Sequence, residues 1–110
     1  MQEEITVARR RSEIADPYGL HMRLAGLFTQ AVGQFRSQIR VRFDGRDADG
    51  KSILDLMCLA AACGSRLEIE ARGTDAESAV ATLAGLISAP CREPQGQEGR
   101  GRGGGGSEAP

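Results

Sequence analysis

Two segments of the chain alternate between apolar and charged side chains: Ile39-Arg40-Val41-Arg42-Phe43 and Leu67-Glu68-Ile69-Glu70-Ala71. A period of two puts the apolar groups on one face of a strand and the charges on the other. Strands of this kind need a sheet with one wet face and one dry face, and the dry face must be covered. The cover is also written in the chain. Over 23–35, Leu24, Leu27, Phe28, Ala31, Val32 and Phe35 fall at i, i+3, i+4 and i+7 spacing, the stripe of a helix with one buried face. Ala79, Val80, Leu83, Leu86 and Ile87 do the same over 76–88.

The remaining elements fit around these. Residues 4–14, with Ile5, Val7 and Ile14, read as a first strand that fades through Arg9-Arg10-Arg11, a run taken as a solvated strand end. Asp16-Pro17-Tyr18-Gly19 is a turn. Asp44-Gly45 is a hairpin pair, with 46–49 as the short return strand. Ser52 stands as the N-cap of a short helix through Ile53 to Leu59, and Gly64 follows as a stop. Gly73-Thr74-Asp75 supplies the turn and cap of the last helix. The order is β-α-β-β-α-β-α, an α+β open-faced β-sandwich.

The chain is 110 residues long, room for one domain, assigned to 1–89. Seven of its 15 glycines lie in 90–110, where there is no large apolar residue, so that segment is expected to be a disordered Gly/Arg-rich tail. Aromatic residues are only 4%, which leaves Leu, Ile, Val and Ala to fill the core. A net charge of −1 gives no overall field for nucleic acid or a membrane surface. No apolar run approaches the ~20 residues of a membrane helix. The polar, charged start at Met1 is unlike a signal peptide, so a cytoplasmic, reduced protein is the default expectation. Cys58, Cys63 and Cys91 lack a metal-ligand spacing, and neither metal nor cofactor is expected. Cys58 and Cys63 lie in an Ala-rich run and read as small buried hydrophobes.

The one histidine sits in Gly19-Leu20-His21-Met22-Arg23, after a turn and directly before the first helix stripe. A helix start offers unpaired N–H groups and the positive end of the dipole. Arg23 adds a planar, permanently charged fork suited to phosphate. Imidazole is a nucleophile near neutral pH. Together these groups suit a histidine that carries a phosphoryl group. In the short helix that Ser52 caps, Ile53, Leu54 and Met57 cannot all face the core together with Leu56 and Leu59. Some must be exposed, which suggests a partner surface.

In these segments the chain resembles the HPr family, the histidine-containing phosphocarriers of the bacterial phosphoenolpyruvate:sugar phosphotransferase system. Gly19-Leu20-His21-Met22-Arg23 is similar to the family's active-site signature. Lys51-Ser52-Ile53-Leu54-Asp55-Leu56-Met57 is similar to the segment around its regulatory serine, and Gly73-Thr74-Asp75 to its last turn. The resemblance runs from about Glu4 to Ala89. It implies an antiparallel four-stranded sheet covered on one face by three helices. It also implies a phosphoryl relay: His21 accepts the group on Nδ1 from enzyme I and passes it to enzyme IIA of sugar transporters, with Arg23 stabilising phosphate. Regulatory phosphorylation would fall on Ser52 by HPr kinase/phosphorylase, with a transcriptional regulator as a further partner. Docking would involve Met22, Leu24, Gly26, Ile53, Leu54, Met57 and Cys58. The expected protein is a monomeric carrier, not a turnover enzyme, and takes no cofactor. It departs from the pattern at Leu24, where the family usually has proline, and at Gln30 and Gly33, where some relatives place lysines. The alternative is a regulatory relative acting mainly through Ser52 in carbon and nitrogen control. A third reading, an RNA-binding module, rests on the basic strands and Arg100 and Arg102 of the tail.

Overall fold

A computed structural model describes residues 5–89. The proposed tail at 90–110, with Cys91, lies outside the described residues, as does the first-strand start at Glu4. The elements are β1 (Thr6–Glu13), α1 (Met22–Val32), β2 (Gln38–Phe43), β3 (Arg46–Asp49), α2 (Ile53–Cys58), β4 (Arg66–Gly73) and α3 (Ala76–Ser88). The strands form one antiparallel sheet in the order β1-β4-β2-β3. The fold is the expected α+β open-faced sandwich.

The two faces follow the alternation. Ile39, Val41, Leu67, Ile69 and Ala71 are buried beneath the helices. On the opposite face, register sets charge against charge. Arg9 and Arg40 both oppose Glu70, while Arg11 and Arg42 both oppose Glu68. Arg42 also faces Asp47 across β2–β3, with Nε donating to Oδ1 at 2.7 Å. That hydrogen bond holds the Asp47 carboxyl below its ordinary range. A slip of one residue would turn every buried side chain outward. It would also break this pattern of opposite charges.

β1 departs from the reading above. It continues through Arg9-Arg10-Arg11 to Glu13, because Arg9 and Arg11 have carboxylates opposite them in β4. Its inward residues are Ala8 and Ser12, whereas Ile5 and Val7 are exposed. Ser12 Oγ donates to the Ala84 carbonyl at 2.7 Å, which ties β1 to α3. The Asp44-Gly45 turn is as expected, with φ of 54° and 76°, the doubly left-handed pair of a tight hairpin.

α1 stops at Val32, three residues before the apolar stripe ends. The turns that follow carry Phe35 back against the core, where it is half-buried. Leu27, read as a core residue, is 44% exposed. The helix packs on α2 and α3 through Leu24, Ala25, Phe28 and Val32, and Leu27 lies beyond that arc. α2 ends at Cys58, with Leu59 as C-cap and Ala60 left-handed at φ 54°; Gly64 belongs to the next turn.

Asp75 precedes α3, but its side chain makes no capping bond. It accepts from the backbone N–H groups of Arg36 (2.8 Å) and Ser37 (3.0 Å) and from the Ser37 hydroxyl. The carboxylate therefore closes the start of β2 onto the β4–α3 turn, thirty-eight residues away in sequence. These donors, the Ser37 hydroxyl first, hold Asp75 below its ordinary range. Stability from a depressed carboxyl is fully present above its unfolded-state value of about 3.9 and is lost as pH falls through its native value. Asp75→Asn is expected to lower the thermal midpoint at pH 7, with the gap to the parent closing as pH drops below about 4. Thermal scans from pH 2 to pH 8 check this, and a constant gap would contradict it.

Candidate functional site

The site begins where β1 ends. Ile14 N–H donates to the Ser65 carbonyl at 2.9 Å, and Gly64 N–H donates to the Ile14 carbonyl at 2.8 Å. This fixes the chain leaving β1 against the loop that enters β4. A turn then forms, with Gly19 N–H donating to the Asp16 carbonyl at 2.9 Å. The Asp16 side chain reinforces it, Oδ1 accepting from Tyr18 N–H at 2.8 Å in the Asx-turn manner.

Gly19 carries φ +73°, and a Cβ there would lie 2.6 Å from the Ala61 oxygen and 2.9 Å from Ala62 Cα. The backbones touch, and glycine alone fits. Leu20 N–H donates to the same Ala61 oxygen at 2.9 Å, and its side chain is buried. The residue before the histidine is thus anchored in the core and held by a hydrogen bond.

His21 has extended backbone (φ −91°, ψ 177°) and is the N-cap of α1. Its ring is contacted at both nitrogens. Nδ1 accepts from Arg23 N–H at 3.2 Å, and Nε2 lies 3.0 Å from Asp16 Oδ2. The imidazole side chain is 24% exposed and the Asp16 side chain only 2%. Tyr18, itself exposed, stands edge-on to the imidazole at 6.1 Å between centroids. The first turn of α1 contains no acidic residue, so the positive end of its dipole is not offset there. Arg23 is exposed in that same turn. The structure therefore brings the His21 ring and the Arg23 backbone N–H together. Asp16 and Tyr18 were read only as turn residues. The legible signal was an Asp at the first position of a turn leading to a histidine, since such a carboxylate folds back on its own loop.

Ser52 is the N-cap of a different element, α2, which packs beside α1. Its Oγ accepts from Asp55 N–H at 3.1 Å, the expected N-cap bond. The surroundings are acidic. Asp55 Oδ2 accepts from Asp49 N–H at 3.3 Å, and Asp49 Oδ1 from Lys51 N–H at 2.9 Å.

The proposed docking residues separate into two groups. Met22, Ile53 and Leu54 are exposed, Gly26 is half-buried with open space beside it, and Met57 packs at the edge of the core. Leu24 is buried at 4% and belongs to the core, because the first turn of α1 points that position inward. Leu27 takes its place on the outer side. Cys58 and Cys63, read as buried, are both exposed. In so short a helix Leu56 and Leu59 take the inward directions, and Cys58 is left outside. Cys63 lies in the following loop, its thiol 3.9 Å from the Ala15 carbonyl. Among the described residues no cluster of His, Cys, Asp or Glu could hold a metal, and no helix is long and apolar enough to cross a membrane.

A loop that presents a histidine at a helix start, on this topology, has known counterparts. The family model PTS-HPr, "PTS HPr component phosphorylation site", matches residues 8–89. The chain belongs to the HPr family. It is 39% identical over 80 residues to the phosphocarrier protein HPr of Cupriavidus necator, an alignment covering 73% of this chain and 90% of that one. It is 32% identical over 81 residues to the HPr-like protein Crh of Bacillus subtilis, covering 74% of this chain and 95% of Crh. The crystal structure of an HPr from Bacillus anthracis superposes with a TM-score of 0.71 at 34% identity, covering 74% of this chain and 96% of that one.

The backbone contact at Gly19 gives a direct test. Gly19→Ala is expected to destabilise the protein by about 1–3 kcal/mol, because the Cβ meets backbone and the φ is positive. It should also shift the amide resonances of Leu20, His21 and Ala61. Denaturant titration and amide spectra check both, and an unchanged midpoint would mean that the contact does not hold the loop.

Proposed function

We propose that His21 is the phosphoacceptor, taking a phosphoryl group on Nδ1 from enzyme I, charged by phosphoenolpyruvate, and passing it to enzyme IIA components of sugar transporters. One observation carries the proposal: Nδ1 faces the first turn of α1, where Arg23 N–H already donates to it. A group attached there would lie beside the unpaired N–H groups and positive dipole end of the helix. The Arg23 guanidinium, in the same turn, adds charge-assisted hydrogen bonds to phosphate oxygens. A phosphohistidine P–N bond is labile, so the carrier needs only to orient the group and stabilise its charge. The partly exposed ring leaves an approach for a partner's donor or acceptor group. Met22 and Leu27 on α1, with Ile53 and Leu54 on α2, offer that partner an apolar surface. We assign the phosphocarrier domain to 1–89 and the protein to the cytoplasm, where these partners act.

A second reading is regulatory, through phosphorylation of Ser52 by HPr kinase/phosphorylase. The likeness to Crh and the accessible cap position favour it. Asp55 in the first turn of α2 and Asp49 at the end of β3, which are joined by a hydrogen bond, weigh against it, since a phosphate at Ser52 would add negative charge beside carboxylates. The RNA-binding reading has less support. The sheet arginines that would make a basic patch interleave with Glu68, Glu70 and Asp47.

His21→Ala is expected to abolish labelling by enzyme I and phosphoenolpyruvate while leaving the fold intact, with a modest loss of stability from the missing N-cap. Retained labelling would remove the proposal. Ser52→Asp is expected to slow acceptance from enzyme I severalfold, by placing charge beside the apolar docking surface. An unchanged rate would separate the two sites.

A further inference from the structure

Asp16 is a buried carboxylate that folds back on the loop carrying His21. Its side chain is 2% exposed, and Oδ1 is taken by Tyr18 N–H at 2.8 Å. Oδ2 lies 3.0 Å from His21 Nε2. On the other side of the ring, Arg23 N–H points at Nδ1 from 3.2 Å. A backbone N–H can only donate, so Nδ1 must offer its lone pair. A carboxylate can only accept, so Nε2 must carry the proton. Both contacts select one neutral form of the ring, protonated on Nε2 and nucleophilic on Nδ1.

We infer that Asp16 is a positioning residue for phosphoryl transfer, fixing His21 in the Nε2–H form and facing the positive charge that develops on the ring. The inference rests on His21 being the phosphoacceptor. In the forward step the Nδ1 lone pair forms a bond to phosphorus. The bond between phosphorus and the donor protein's group breaks, and its electron pair leaves with the donor. No proton need move. The ring keeps its Nε2 proton and becomes a phosphorylated imidazolium opposite the Asp16 carboxylate. In the onward step the P–N pair returns to Nδ1, and the ring is again neutral with its proton on Nε2. A buried carboxylate is worth most here because little water screens it.

The turn makes the isosteric variant the sharper test. In Asp16→Asn the amide oxygen must still face Tyr18 N–H, since an NH2 group there would oppose that donor. The NH2 group therefore faces Nε2, which must become the acceptor, and the proton moves to Nδ1. There it occupies the nucleophilic lone pair and meets Arg23 N–H. An Asp-to-Asn exchange behind a histidine inverts the ring in this way in Ser-His-Asp triads. Asp16→Ala imposes neither form.

Two measurements on the full chain decide the matter. Nitrogen-15 NMR of the His21 ring, at alkaline pH where imidazole is neutral, reports which nitrogen holds the proton. Initial rates of labelling by enzyme I and phosphoenolpyruvate report transfer. The expected result is an Nε2–H ring in the parent, an Nδ1–H ring in Asp16→Asn, and acceptance at least tenfold slower in Asp16→Asn, with Asp16→Ala between it and the parent. A purely structural role reverses the order of the variants, since Asn preserves shape and Ala does not. A parent ring protonated on Nδ1, or Asp16→Asn labelling at the parent rate, would overturn the inference. If the parent takes no label, the relay itself falls, and the NMR result, which needs no partner, alone decides how Asp16 holds the ring.

Discussion

The dry face of β4 holds the molecule together. Leu67, Ile69 and Ala71 are almost wholly buried, and the strand pairs with β1 on one side and β2 on the other. α3 packs across β4 and β1, and α1 packs against α3 and α2. Removing this strip of apolar surface would leave α3 without a floor and α1 without the helix it packs on, and neither is long enough to persist alone in water. The placement of β4 also determines where the site can be. Its entry loop runs beside the exit of β1, and that adjacency brings Ala61 and Ala62 against Gly19 and Leu20.

The histidine is thus positioned by backbone more than by side-chain packing. A left-handed glycine, a buried leucine and a hydrogen bond to Ala61 fix the residue before it, and the helix fixes the residues after it. What remains free is the ring, and polar groups occupy both of its nitrogens. An arrangement this constrained suits a carrier, whose task is to present one atom in one geometry to successive partners. The acidic turn around Ser52 is a different environment, already committed to capping a helix of six residues.

Much of this was legible in the chain. The alternation in β2 and β4 gave the faces, and the stripe in α1 gave the cover. The Asp44-Gly45 pair gave the hairpin, and the histidine before a helix gave the candidate site. What was not legible depends on contacts distant in sequence. The run Arg9-Arg10-Arg11 reads as a strand end until Glu68 and Glu70 stand opposite it. Asp75 reads as a cap until the β2 entry at Arg36 and Ser37 is brought to it. Leu24 and Leu27 look alike in a helical stripe, and only the direction of the neighbouring helices decides which is buried. Asp16 was hidden because turn chemistry fully explains an aspartate at that position, and its second oxygen has meaning only once the ring is in place.

The central claim is that one atom, Nδ1 of His21, carries the phosphoryl group. The most direct test is to charge the full chain with enzyme I and phosphoenolpyruvate and locate the phosphorus by phosphorus-31 NMR on ring-labelled protein. The account predicts a single acid-labile phosphoryl group, coupled to Nδ1 of His21. Phosphate on Nε2, phosphate on Ser52 alone, or an uncharged chain would contradict it.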